Sequence, residues 1–276
     1  MNELHLFAGA GGGILGGMLL GHTCVCAVEI EPYCQQVLLQ RQRDGILPKF
    51  PIWDDVRTFD GKPWSGFVDI VCGGFPCQDI SAAGKGAGIR GKRSGLWKEF
   101  ARIISQIRPD YVFLENSPML TIRGAVRVVG DLAKMGYVGS NGVLGAEDAI
   151  WNLGDPCADH ERKRIWFCGK NSNSDRFRKL QSERSQQDKR ERVCDSCQTI
   201  PNTTIKGLEG ISREGLHGTR RASIKPAGNS WWSSEPGICR VANGVAHRLD
   251  RLKAVGNGQV PAVVKLAWRI LTNEQP

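Results

Sequence analysis

Glu3-Leu4-His5-Leu6-Phe7-Ala8-Gly9-Ala10-Gly11-Gly12 opens the chain with a short apolar strand that runs directly into a glycine loop, and residues 14–20 continue with helical spacing. Strand, glycine turn and helix in that order form the first unit of a ligand-binding α/β sheet. Glycine lets the backbone turn sharply there and approach a ligand closely. Many glycine loops are only turns. This one gains weight from Glu29, at the end of the next strand, where a carboxylate suits ribose hydroxyls. Asp55, in Trp53-Asp54-Asp55-Val56, falls where a third strand end would meet an adenine amino group.

Working outward, apolar strands at 3–7, 24–29, 68–72, 111–115 and 164–168 alternate with helices, the pattern of a mostly parallel α/β sheet. Leu96, Phe100, Ile103, Ile104 and Ile107 fall at helical spacing, and Arg108-Pro109 closes that helix. A second helix is expected over 124–135 with Gly136 as its C-cap. A last one, over 261–271, should pack Val263, Val264, Ala267, Ile270 and Leu271 onto the sheet. From Asn171 to about Ser230 the sequence turns polar and loses apolar periodicity, so it is either disordered or a small loop-rich module. Three parts follow: 1–169, 170–230, and a return segment, 231–276, that completes the first.

The 276 residues, 41% of them hydrophobic, suffice for one large α/β domain with a small appendage. A net charge of +9 favours a polyanionic partner, most simply nucleic acid. No apolar run approaches the roughly 20 residues of a membrane span. The chain has ten cysteines, and its start runs straight into a strand with no signal peptide. Cys24, Cys26, Cys72 and Cys168 sit inside apolar runs, as reduced core thiols do, which points to a reducing cytoplasm. Cys194 and Cys197 have zinc-type spacing but lack a second pair, so no metal site is expected.

Two further strand ends carry chemistry. Gly73-Gly74-Phe75-Pro76-Cys77-Gln78 holds a cysteine on a tight turn, out of the core, where it can act as a nucleophile. The basic segment that follows, with Lys85, Arg90, Lys92 and Arg93, favours its thiolate. Tyr111-Val112-Phe113-Leu114 delivers Glu115 and Asn116 in the same way. Arg162 and Arg164 alternate on one strand face and can enter the same cleft. Either NAD or S-adenosylmethionine fits the layout. The loop lacks the G-x-G-x-x-G spacing of pyrophosphate binders, which favours S-adenosylmethionine.

Taken in order, these motifs closely resemble the cytosine carbon-5 DNA methyltransferase family. Phe7 to Gly12 resembles its first motif, Pro76-Cys77-Gln78 its nucleophile motif, and Glu115-Asn116-Ser117 its Glu-Asn-Val motif. Arg162-Lys163-Arg164 is similar to its Arg-x-Arg motif and Gly256-Asn257-Gly258-Gln259-Val260-Pro261 to its last. Ser117 stands where Val is usual, and His160 replaces the commoner Gln. The resemblance covers about 1–169 and 231–276. It implies a Rossmann-like sheet binding S-adenosylmethionine through Phe7, Gly9, Gly11, Gly12, Glu29, Ile30, Asp55, Pro76, Leu96 and Asn257. It implies catalysis by Cys77, Glu115, Arg162 and Arg164 on a cytosine flipped out of double-stranded DNA. Gln78, Ser81, Lys85, Arg90 and Arg93 would contact that DNA. Residues 170–230, where Lys and Arg nearly double Asp and Glu, would read its sequence. The expected setting is a monomer in a bacterial cell or phage-infected host, functionally paired with a restriction endonuclease. An RNA-methylating relative, a catalytically silent binder of DNA and a dinucleotide oxidoreductase are the alternatives.

Overall fold

The structure, a computed structural model, describes residues 1–76, 96–146, 148–149, 162–174 and 248–273. Contacts divide the chain into one unit of Met1–Ser185 with Leu249–Pro276 and a second of Gln186–Arg248. Every strand of the sheet belongs to the first.

Among the described residues the seven strands are β1 (Asn2–Leu6), β2 (Thr23–Val28), β3 (Ile52–Trp53), β4 (Ile70–Gly73), β5 (Tyr111–Asn116), β6 (Tyr137–Leu144) and β7 (Arg164–Asn171). They lie in the order β3-β2-β1-β4-β5-β7-β6. β1 to β5 run parallel, and β7 is antiparallel to both of its neighbours. The expected mostly parallel sheet is thus present, with an antiparallel hairpin at one edge. β6 was not foreseen. Its sequence, Tyr137-Val138-Gly139-Ser140-Asn141-Gly142-Val143-Leu144, shows no regular alternation because most of it faces solvent.

Strands inside a parallel sheet are covered on both faces and read as continuous apolar runs. On one face Leu4, Leu6, Val71, Val112 and Leu114 pack against Trp97, Phe100, Ile103, Ile104 and Ile107 of α3 (Trp97–Ile107) and against α5 (Ala125–Lys134), which follows the single turn α4 (Leu120–Arg123). Arg108 ends α3 in the left-handed conformation. On the other face Ile70, Cys72, Phe113, Trp166 and Cys168 meet Val263, Val264, Leu266, Ala267 and Trp268 of the last helix, α7 (Pro261–Thr272). Ile270, expected inside, is 46% exposed, and Trp268 fills the core in its place. Burying each such large side chain contributes roughly 1.5–3 kcal/mol. The remaining helices are α1 (Gly12–Met18), α2 (Pro32–Arg43) and α6 (Arg248–Asn257).

Register fixes where the site lies. Leu6 pairs with Gly73 and Gly73 with Leu114, so β1 and β4 end level and β5 carries Glu115 and Asn116 just past them. β7 runs the other way and therefore begins where they finish, with Ile165 opposite Asn116. Ligands of open α/β sheets bind beyond these carboxyl ends. Among the described residues the cysteines are buried and none forms a disulfide. No described helix is long and apolar enough to cross a membrane.

Candidate active site

Beyond the ends of β1, β2, β4 and β5 lies a cavity of about 340 Å³, within the size range of small-molecule sites. Phe7, Gly9, Glu29, Ile30, Pro76, Leu96 and Asn257 all line it, together with Glu115, Asn116 and Arg164. The loop after β1 gets its shape from left-handed backbone at Phe7, Gly9 and Gly11. Glu29 holds that loop: its Oε2 accepts from the Gly9 amide at 2.6 Å and its Oε1 from the Glu31 amide at 2.8 Å. Each oxygen keeps a lone pair for a further donor.

Three expected pocket residues are placed elsewhere. Gly11 and Gly12 do not line the cavity. A Cβ on Gly12 would stand 2.1 Å from the Gln259 carbonyl oxygen, so this glycine lets α1 meet the segment before α7. Asp55 is clasped by Arg57, with Nη2 to Oδ2 at 2.7 Å, and is absent from the lining. Cys77, Gln78, Ser81, Lys85, Arg90 and Arg93 lie outside the described residues, as do Cys194, Cys197 and nearly all of 170–230; Pro76, just before Cys77, is on the cavity wall.

Glu115 is the focus of charge. Its Oε1 pairs with Arg164 Nε at 2.8 Å, and Gln259 Nε2 approaches Oε2 at 3.5 Å. Burial pushes its carboxyl above the ordinary glutamate range, against the opposing pull of Arg164, Gln259 and Arg162. A carboxyl raised in this way holds its proton to higher pH and can deliver it to a bound base. Gly74 leaves the room this needs, since a Cβ there would lie 2.6 Å from Glu115 Oε2. The buried Asn116 donates from Nδ2 to the Phe75 carbonyl at 3.0 Å and accepts from the Ser117 amide at 2.8 Å, tying β5 to the turn that leads to Cys77.

Arg162 acts on the Glu115 carboxyl through its charge. Its Nη2 donates to the carbonyls of Gly256 at 2.8 Å and Gly258 at 2.6 Å, holding the end of α6 that carries Asn257. Lys253 of α6 pairs with Glu31 at the start of α2. Sequence reasoning missed Gln259, though it quoted the motif containing it, and missed α6 altogether. That helix, Arg248-Leu249-Asp250-Arg251-Leu252-Lys253-Ala254-Val255-Gly256-Asn257, mixes charge with a short apolar stripe whose Leu249, Leu252 and Val255 are 79%, 48% and 78% exposed, so it reads only weakly as a core-facing helix.

The model of a family described as C-5 cytosine-specific DNA methylase matches residues 1–234. The chain is similar to the type II methyltransferase M2.BsuMI of Bacillus subtilis (strain 168), at 36% identity over 124 residues, covering 44% of this chain and 30% of that protein. It is 32% identical over 173 residues to the type II methyltransferase M.CviJI of Paramecium bursaria Chlorella virus IL3A, covering 60% and 41%. With the type II methyltransferase M.NgoMIV of Neisseria gonorrhoeae it shares 34% identity over 160 residues, covering 53% and 46%. The chain thus spans less than half the length of each of these relatives.

Proposed function

The chain belongs to the C-5 cytosine-specific DNA methylase family, and we propose that it transfers a methyl group from S-adenosylmethionine to carbon 5 of a cytosine flipped out of double-stranded DNA at a specific sequence. The observation that carries this reading is the burial-raised Glu115 carboxyl, clamped by Arg164 on the wall of a cavity that also holds Glu29 and Pro76.

The cavity suits the cofactor. Its volume, its apolar lining at Phe7, Ile30 and Leu96, and the two lone pairs left on Glu29 match an adenosine with ribose hydroxyls. Asn257, at the end of α6 braced by Arg162, would close the pocket. S-adenosylmethionine, when bound, supplies an electrophilic methyl group.

The chain's own residues prepare the base. Carbon 5 of cytosine is a weak nucleophile, so the Cys77 thiolate adds to carbon 6, forming a carbon–sulfur bond and pushing electrons toward carbon 5 and ring nitrogen 3. Glu115 gives its proton, or a strong hydrogen bond, to nitrogen 3 and so disperses that charge. Arg164 holds the carboxyl and stabilises the ring carbonyl. After methylation, carbon 5 gives its proton to a solvent water, the carbon–sulfur bond breaks to release the Cys77 thiolate, and nitrogen 3 returns its proton to Glu115, restoring the ring. Flipping costs a few kcal/mol. Gln78, Ser81, Lys85, Arg90 and Arg93, in a basic glycine-rich segment, would offset this through phosphate contacts.

In this reading 1–169 and 231–276 form the catalytic domain and 170–230 selects the DNA sequence. The protein acts as a monomer in a bacterial or phage-infected cytoplasm, beside a restriction endonuclease of the same specificity. The test is transfer of labelled methyl to unmethylated DNA and to RNA, beside Cys77→Ser, with conversion sequencing of the product. Label on cytosine carbon 5 within one short DNA motif, lost in the variant, is expected. Transfer confined to RNA, or full transfer by the variant, refutes the substrate or the nucleophile respectively.

A further inference from the structure

Behind the carboxyl ends of β1 and β4, on the face covered by α1 and α7, sits a polar group in an otherwise apolar core. Glu3, His5, His22 and Cys72 are all buried. Glu3 Oε2 meets His5 Nε2 at 2.8 Å, and Glu3 Oε1 meets His22 Nδ1 at 2.8 Å. Donor atoms of Glu3, His5 and Cys72 lie within 4.8 Å of one another. Even so, the group is complete without an ion: both carboxylate oxygens already face an imidazole nitrogen, and burial keeps the Cys72 thiol protonated. Its open valence is at His5 Nδ1.

Gln259 lies beside that atom. A Cβ on Gly13 would stand 2.4 Å from Gln259 Oε1 and 3.4 Å from His5 Nδ1, so the bare glycine leaves the amide oxygen and the ring nitrogen near each other. Both residues line a small cavity of about 10 Å³, together with Glu3 and Cys72. A space of that size is near the lower limit for one water. The other end of the same amide, Nε2, approaches Glu115 Oε2.

We propose that Gln259 is a positioning residue for Glu115, and that the Glu3–His5–His22 group, acting through one water in the small cavity, dictates which end of the Gln259 amide meets the carboxyl. This rests on the reading of Glu115 as the acid that serves cytosine nitrogen 3. An amide can present a donor or an acceptor. Its NH2 end stabilises a carboxylate, whereas its oxygen would favour the protonated acid. A water donating to Gln259 Oε1 removes that choice. It works with either state of His5, because water can accept from Nδ1–H or donate to a bare Nδ1. Gln259 therefore opposes the burial that raises Glu115, so the carboxyl both takes and releases its proton instead of remaining a permanent acid. The other charged groups near it are Arg164 and Arg162 on the same edge and Glu29, Glu31, Asp250 and Lys253 around the larger cavity.

The test is the Glu115 titration, followed by carboxyl carbon NMR on labelled protein and assigned with Glu115→Gln. Gln259→Met keeps the volume and removes the donor; Glu115 should then titrate about one pH unit higher, the scale of a lost charged hydrogen bond. His5→Gln still reaches Glu3 but leaves nothing at the Nδ1 position, and should shift the midpoint the same way by less. If Gln259→Met does not fold, Gln259→Asn, too short to reach Glu115, replaces it with the same expectation. An unchanged midpoint in the Gln259 variant overturns the contact. A shift there with none in His5→Gln overturns the relay. Methyl transfer to DNA by the unaltered protein is measured alongside. Its absence would sink the proposed reaction while the titration still decides the positioning.

Discussion

Gly74→Ala is the sharpest way to ask whether the Glu115 carboxyl must stay where it is. Gly74 makes no side-chain interaction, and its backbone suits any residue, so alanine brings only one methyl group. That methyl would lie 2.6 Å from Glu115 Oε2, 3.2 Å from the Glu115 carbonyl and 3.5 Å from Gln259 Nε2. Carbon and oxygen do not rest so close; the carboxylate must retreat by about half an ångström or more to reach ordinary contact. Such a retreat strains the 2.8 Å bond to Arg164 and turns Oε2 away from the base. Losing a buried charged hydrogen bond costs about 1.5–3 kcal/mol, or roughly a tenfold to hundredfold slower methyl transfer. Single-turnover transfer at saturating S-adenosylmethionine reads the rate, and calorimetric binding of S-adenosylhomocysteine shows whether the cofactor site survives. A variant that binds normally and transfers at the unaltered rate would refute the claim that Glu115 geometry limits the chemistry.

Glu3 makes the fold sensitive to acid. Burial would raise its carboxyl, but hydrogen bonds from His22 and His5 outweigh this and bring it from 4.5 down to about 2. A depressed carboxyl stabilises the fold fully above its unfolded value and loses that contribution as pH falls from about 4.5 toward 2, some 3 kcal/mol in all. Glu3→Gln should therefore melt about 6–12 °C lower at pH 7, a gap that narrows below pH 4.5; calorimetric scans showing a constant gap would contradict it. Arg162→Ala removes two hydrogen bonds at the end of α6 that carries Asn257 and should weaken S-adenosylhomocysteine binding by roughly five- to thirtyfold. Affinity equal to the unaltered protein's would mean this helix end holds itself.

What the sequence makes legible follows from local chemistry. β1, its glycine loop and Glu29 could be read because strand, turn and carboxylate each leave a short-range mark, and the structure brings Gly9 and Glu29 into direct contact. α3 could be read because its five core residues repeat at helical spacing. β6 could not, since an edge strand facing solvent carries no alternation, nor could α6, whose large apolar residues point outward. Asp55 shows the limit of spacing: a nearby Arg57, two residues on, claims its carboxylate. The approach of Gln259 to Glu115 spans 144 residues. No local pattern encodes a contact at that distance; it arises only because α7 returns to the sheet beside β1 and β4.

That return also sets a timetable for synthesis. The ion pair between Glu31 and Lys253 joins residues 222 apart, and ribosomes add about 5–20 residues each second, so the first partner waits roughly 10 to 45 s for the second. Throughout that interval the emerging chain already carries Glu29, and for the later part of it Glu115, but neither Asn257 nor the carbonyls that Arg162 grips. A growing polypeptide thus cannot finish its pocket early, and a message cut short before codon 248 yields a product without the wall that α6 supplies.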